Sequence, residues 1–131
     1  MTFESIVNDN EKLYRSLKED QIKDGRISKS AFRNNKSGIS CNAAKNRCNL
    51  LIKRQLIKQF LNIDKHVHSC VLSISDIRNL AKAYPFYVPE KHNKYHSEIW
   101  ESETDRKQSV LRKAIELSKI AKLYFEYPSK R

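Results

Sequence analysis

The sequence predicts an α+β fold, a small mixed sheet of short strands packed with two long amphipathic helices. Three observations point there. Two segments, residues 43–61 and 105–124, repeat apolar residues at helical spacing. Several shorter apolar segments are bounded by turn signals, as strands are. The order of these pieces lacks the regular strand–helix alternation of a doubly wound parallel sheet.

Along the chain, residues 1–11 read as a flexible N-terminal segment, 12–125 as a single α+β domain and 126–131 as a basic C-terminal tail. Residues 12–17 form a short strand or the end of a helix. Residues 19–25 are polar and end in Asp24-Gly25, a turn signal. Residues 27–33 alternate in part, with Ile27 and Phe32 suggesting a short bulged strand. Residues 34–38 make a second turn, and 39–41 a brief strand. Asn42 is a candidate N-cap for the first long helix. Its apolar stripe is Ala44, Cys48, Leu50, Leu51, Ile57 and Leu61, with Leu56 and Phe60 alongside. Lys45, Lys53, Arg54 and Lys58 are left for the outer face.

Residues 67–74 form a mostly buried strand. Ser75-Asp76 can cap a short helix that carries Ile77, Leu80 and Ala81 and is ended by Pro85. Residues 86–88 are a short strand stopped by Pro89, and 95–100 another. Asp105 can cap the last helix, whose stripe is Val110, Ala114, Leu117, Ala121 and Tyr124.

A chain of 131 residues fits one domain, and with 39% hydrophobic and 31% charged residues its core must be confined to selected faces. Two glycines and three prolines argue against disorder or low complexity, and no internal repeat is visible. The net charge of +11, with a pI near 9.7, favours polyanionic partners: nucleic acid, an acidic protein or an anionic surface. No apolar run approaches the roughly 20 residues of a membrane-spanning helix. The opening MTFESIVNDNEK lacks the basic and apolar regions of a secretory signal. Cys41, Cys48 and Cys70 are odd in number and lack paired spacing, so no disulfide framework is expected and the compartment is expected to be cytoplasmic. Cys48 falls on the apolar side of its helix, as a small buried hydrophobe would.

Three groups are candidate sites. The first is Arg15, Arg26, Ser28, Ser30, Ser40 and Glu98, with Tyr14 and His96 beside them in sequence. Arginine forks donate bidentately to phosphate or carboxylate, and serine hydroxyls can bind the same oxygens. The alternative reading makes the serines turn and cap residues and the arginines surface ion-pair partners.

Leu13-Tyr14-Arg15, then Gly25-Arg26-Ile27-Ser28-Lys29-Ser30-Ala31-Phe32, Ile39-Ser40 and the run from Pro89 through His96 to Ile99 resemble a family of small bacterial proteins of unassigned activity. The resemblance implies a shared site without naming its chemistry. The chain departs from that pattern at Lys29, between the two serines, and at Cys41-Asn42. A weaker resemblance is to ADP-ribosyltransferase-like folds, through Arg15, Ser40 and Glu98 in that order. That likeness implies NAD as cofactor, Arg15 on its phosphates, Ser40 ordering the pocket and Glu98 stabilising the ribosyl centre. The Glu-x-Glu element of many such enzymes is absent, since His96 stands at its first position. No cofactor is predicted outside this resemblance.

The second group is histidine: His66 with His68, and His92 with His96, have zinc-compatible spacing. No acidic or cysteine cluster accompanies them, and no metal is predicted. The third group is the basic surface: Lys53, Arg54 and Lys58 on the first long helix, and Arg106, Lys107, Arg112, Lys113, Lys119 and Lys122 on the last. Such cations suit phosphate contacts that carry no sequence selectivity. Tyr124, Phe125 and Tyr127 could stack on bases. No P-loop, dinucleotide-binding glycine motif, nucleophile elbow, helix-turn-helix or zinc finger is present.

The chain therefore reads as a basic bacterial protein that binds a polyanion, foremost nucleic acid, as a component of a larger assembly. A nucleotide-using enzyme of ADP-ribosyltransferase-like type and a protein–protein adaptor are the alternatives.

Overall fold

A computed structural model describes residues 3–33, 38–62, 66–106 and 111–126. The protein is α+β. Its strands are β1 (Glu4–Ser5), β2 (Lys12–Lys18), β3 (Ile22–Lys23), β4 (Arg26–Ile27), β5 (Ile39–Ala43), β6 (His66–Ser73), β7 (Tyr84–Tyr87), β8 (His96–Trp100) and β9 (Lys122–Glu126). Its α-helices are α1 (Asn49–Asn62), α2 (Ile74–Asn79) and α3 (Ala114–Ile120).

Seven strands form one sheet in the order β1-β7-β8-β5-β2-β6-β9, and every pairing in it is antiparallel. β3 and β4 form a separate hairpin through Asp24-Gly25, both at positive φ. That is the requirement of a two-residue turn matched to strand twist. The spine is β2–β6, paired from Lys12↔Ser73 to Lys18↔His66.

Side-chain alternation gives the sheet two different faces. On the first, Leu13 and Leu17 of β2, Ile39, Cys41 and Ala43 of β5, and Cys70 and Leu72 of β6 meet Ile74 and Ile77 of α2 and Ala114 and Leu117 of α3. Phe32 and Ala31, on the short 3₁₀ turn Lys29–Phe32, complete this core. On the second face, Ile52, Leu56 and Phe60 of α1 pack on Tyr14, with Val71, Tyr124 and Phe125 around them. At the β7–β8 end, Trp100 stacks on Phe86 at 3.9 Å and meets Phe3 edge-on at 6.2 Å.

Several expectations are corrected. The segment 1–11, expected to be loose, supplies β1 to the sheet edge and buries Ile6 and Glu11. Asn42 is not a helix N-cap but a strand residue opposite Tyr14 and His96. Helix α1 begins only at Asn49, after a turn in which Lys45 and Asn46 both have positive φ. The shift changes which side is buried: Leu50, Leu51 and Leu61 are exposed, and so is Cys48. The buried stripe is Ile52, Leu56 and Phe60 at i, i+4 and i+8. Pro85 lies inside β7 rather than ending α2, because the sheet has already replaced the helix by Tyr84. Of the expected strand at 27–33 only Ile27 is in β4, and Ser28 then caps the 3₁₀ turn.

The long final helix is the largest correction. It is reduced to α3, and the chain then turns extended at Ala121 and pairs as β9 with β6. An edge strand with unpaired backbone groups recruits a segment rich in aromatic residues. As strand residues, Tyr124 reaches Tyr14 (ring centroids 4.8 Å) and Phe125 reaches Phe60 (5.7 Å). Val110, Lys107 and residues 127–131 of the expected helix and basic tail lie outside the described residues.

Two measurements test this packing. A Cβ on Gly38 would stand 2.5 Å from Trp100 Cδ1 and 3.1 Å from Glu98 Cβ. Gly38→Ala should therefore lower stability by about 1–3 kcal/mol in urea unfolding, and an unchanged midpoint would contradict the Trp100 position. Burial pushes the Cys41 thiol up to about 12 and raises that of Cys70, both being enclosed in the core. Thiol titration of the native protein at pH 8 should modify Cys48 alone, with Cys41 and Cys70 reacting only after denaturation. Fast labelling of a second thiol would show the core open.

Candidate functional site

The arginine–serine–glutamate group does not converge. Arg15 shares a sheet face with Cys41, its side chain donating from Nε to Ala31 O (2.9 Å) and from a terminal nitrogen to Ser40 O (2.6 Å). Its guanidinium carbon lies 5.9 Å from the centroid of the Phe32 ring. Ser40 pairs with Glu98, and the strand alternation puts both side chains on the opposite face from Arg15. The sheet itself therefore separates Arg15 from Ser40 and Glu98, the other two residues of the ADP-ribosyltransferase-like pattern.

Glu98 is 3% exposed and fully engaged. It accepts from Arg106 Nε (2.7 Å) and Nη2 (2.6 Å), and from Trp100 Nε1 (3.0 Å). The hydrogen bonds to Glu98 hold the Arg106 guanidinium above its usual pKa. Ser28 accepts from the backbone N–H and hydroxyl of Ser30, as a capping serine does. Arg26 is exposed on β4. Buried Tyr14 packs between α1 and Tyr124. The buried His96 donates from Nδ1 to Val88 O at 2.8 Å.

The basic residues also divide. α3 lies on the first face and α1 on the second, so their cations form no common patch. Arg106 is committed to Glu98. Lys113 donates to Lys82 O and lies 3.7 Å from Glu101, while Lys119 lies 3.5 Å from Glu116. Lys53 Nζ stands 5.7 Å from the Tyr124 and Phe125 rings. Arg112 and Lys122 are exposed. His68 faces Glu19 at 3.7 Å. Among the described residues no three histidine, cysteine or acidic side chains cluster as metal ligands.

What the structure does assemble lies between α1 and the connection from β7 to β8. Its floor is a carboxamide network. Asn42, 4% exposed, accepts at Oδ1 from Gln55 (3.1 Å), Gln59 (3.2 Å) and Asn93 (2.8 Å), and donates to Gln59 Oε1 (3.0 Å). Ser16 donates to the same Gln59 oxygen at 2.9 Å. Gln55 also donates to Asn93 Oδ1 at 2.9 Å. Buried amides must find such partners, and here they join β2, β5, α1 and the β7–β8 connection.

Arg47 borders the network. It donates to Ala44 O (3.0 Å), Ala43 O (2.6 Å) and Gln55 Oε1 (2.6 Å), and its guanidinium carbon lies 3.5 Å from the Tyr95 ring centroid. Burial draws its pKa below the usual value, opposed by Tyr95, Glu11 and Tyr14, yet arginine keeps its charge. The Lys45-Asn46 turn that aims it is strained at Lys45 (φ 45°). The buried Glu11 holds that turn: both carboxylate oxygens accept the Lys45 N–H at 3.2 Å, and Tyr87 donates to Glu11 at 2.7 Å. Burial, and then the hydrogen bond to Glu11, raise the Tyr87 hydroxyl above its usual pKa.

Above the network opens a groove of about 640 Å³. Arg47, Arg54, Lys58, Lys91 and Lys94 bring five cations to it, and no carboxylate lines it. Tyr95, His92 and the exposed Leu51 complete its surface. Among the described residues, Arg54, Lys58, Lys91 and Lys94 make no ion pair. Glu90, in the same connection, lies 3.8 Å from His96 Nδ1 and is not part of the lining. Arg54 and Lys58 were legible in the sequence; Arg47, Lys91, Asn93, Lys94 and Tyr95 were missed. The available signals were the Lys91-His92-Asn93-Lys94-Tyr95 run and the i, i+4 pair Gln55 and Gln59 on an otherwise apolar helix face.

No protein-family model matches the chain, and neither a curated protein nor a solved structure does.

The Glu98–Arg106 pair carries its own test. Arg106→Ala leaves a 3%-exposed carboxylate without its cation and should cost about 3 kcal/mol in chemical denaturation. Glu98→Gln leaves Arg106, whose side chain is 41% exposed, to water and should cost less. The reverse order would remove this pair from its structural role.

Proposed function

We propose that the protein binds a polyanion, and specifically nucleic acid, in the groove between α1 and the β7–β8 connection. One observation carries this reading: five cations share one concave surface from which carboxylates are absent. A surface of one sign focuses its field and draws phosphate-rich ligands. Arg106, Lys113 and Lys119, by contrast, lie beside carboxylates. The cations come from three separate segments, the Lys45-Asn46 turn, α1 and residues 91–94, so a chain of phosphates could engage several at once. Membership of a larger bacterial assembly is compatible with this role and is not required by it. Among the described residues no helix is long and apolar enough to cross a membrane.

Fluorescence anisotropy with labelled RNA and DNA across a salt series tests the proposal, with poly-glutamate as the acidic-protein control. Binding should weaken steeply with salt, and Arg54→Ala/Lys58→Ala/Lys91→Ala should flatten the log–log slope by about 2–3. Arg112→Ala/Lys119→Ala should leave binding within about twofold, since exposed charges outside the interface act only through a screened field. No binding at physiological salt, or tighter binding to poly-glutamate, would overturn the nucleic-acid reading.

A further inference from the structure

Resting on that reading, we infer that the groove takes single-stranded nucleic acid and holds one unstacked base on Tyr95. The cations alone would serve any polyanion, but the groove contains groups that a phosphate chain does not use. Tyr95 is stacked on the Arg47 guanidinium at 3.5 Å. That guanidinium is fixed in turn by Ala43 O, Ala44 O and Gln55 Oε1. The aromatic platform is thus held in place before any ligand arrives. Lys94 Nζ lies 5.3 Å from the same ring centroid, which sets a phosphate-binding cation beside a base-stacking surface. Exposed Leu51 adds apolar surface to the groove.

The carboxamides supply a base-edge reader. Asn93 spends one N–H on Asn42, and its oxygen accepts from Gln55 and the Tyr95 N–H. Its second N–H has no acceptor among the described residues. Gln55 gives both N–H groups to Asn42 and Asn93, and among the described residues its oxygen accepts only from Arg47. Asn93 and Gln55 both line the groove, and one donor on the first with one lone pair on the second match the donor–acceptor alternation of an exposed base edge. A duplex keeps its base faces stacked and would meet only the cations. A single strand can use the cations, the ring and the two amides together.

The test is anisotropy at fixed salt with labelled single strands, a hairpin duplex of the same sequence, and an abasic strand of equal length. Wild-type protein should bind the base-bearing single strand roughly 10-fold more tightly than the abasic strand or the duplex. Tyr95→Leu should reduce base-bearing strands to the level of the abasic strand, and its retained salt-dependent binding of the abasic strand shows that the variant folds. Tyr95→Phe should retain the preference, because the ring and not the hydroxyl is used. Equal binding of base-bearing and abasic strands, duplex binding as tight as single-strand binding, or an unaltered preference in Tyr95→Leu overturns this inference while leaving a salt-dependent polyanion site standing. Absence of binding to every strand overturns both.

Discussion

The arrangement of the second sheet face depends on one buried carboxamide. Asn42 sits in β5 between Tyr14 and His96 and is only 4% exposed. An unpaired amide in that position costs about 1–3 kcal/mol for each polar atom left unsatisfied. Its partners must therefore be brought to it, and they come from α1 (Gln55, Gln59) and from the β7–β8 connection (Asn93). That requirement fixes the rotation of α1 about its axis, because Gln55 and Gln59 must face the sheet alongside Ile52, Leu56 and Phe60. It also draws residues 91–95 against the helix, and the groove is the space that remains between them.

Two conformational costs accompany this arrangement. Lys45 adopts a left-handed backbone that a lysine rarely takes, at a cost of about 1–3 kcal/mol. The Glu11 side chain is buried. Each offsets the other: the Glu11 oxygens accept the N–H that the turn presents, and Tyr87 donates to the same group. The turn then aims Arg47 at Tyr95. A segment near the N-terminus thereby positions a groove residue some thirty-six places later, through the Glu11–Lys45 contact rather than along the chain.

Charge is distributed by the same two-faced sheet. The first face is sealed by α2, α3 and the 3₁₀ turn, and Arg15 reaches the Ala31 and Ser40 backbone carbonyls there. Glu98, on the second face, is neutralised by Arg106 beside the Trp100–Phe86 stack. Both residues hold the fold together in ways that a pattern of polar residues in sequence cannot distinguish from a site. The groove beside α1 and the adjoining connection gathers five cations and no carboxylate.

The sequence by itself determined the α+β class, the Asp24-Gly25 turn, most of β5, β6 and β8, the body of α1 and the basic character. These follow from local periodicity and turn chemistry, which short stretches of chain encode. Only the tertiary structure decided which side of the sheet each residue occupies. Arg15 and Glu98 are separated by strand parity, and a one-residue change of register would exchange the faces. Asn42 and Tyr124 have side chains that suit more than one element, and non-local pairing placed both in strands: the first by its amide partners, the second by the free edge of β6. The meeting of Arg47, Arg54 and Lys94 is of the same kind, since contacts between distant segments leave no local period in the sequence to read.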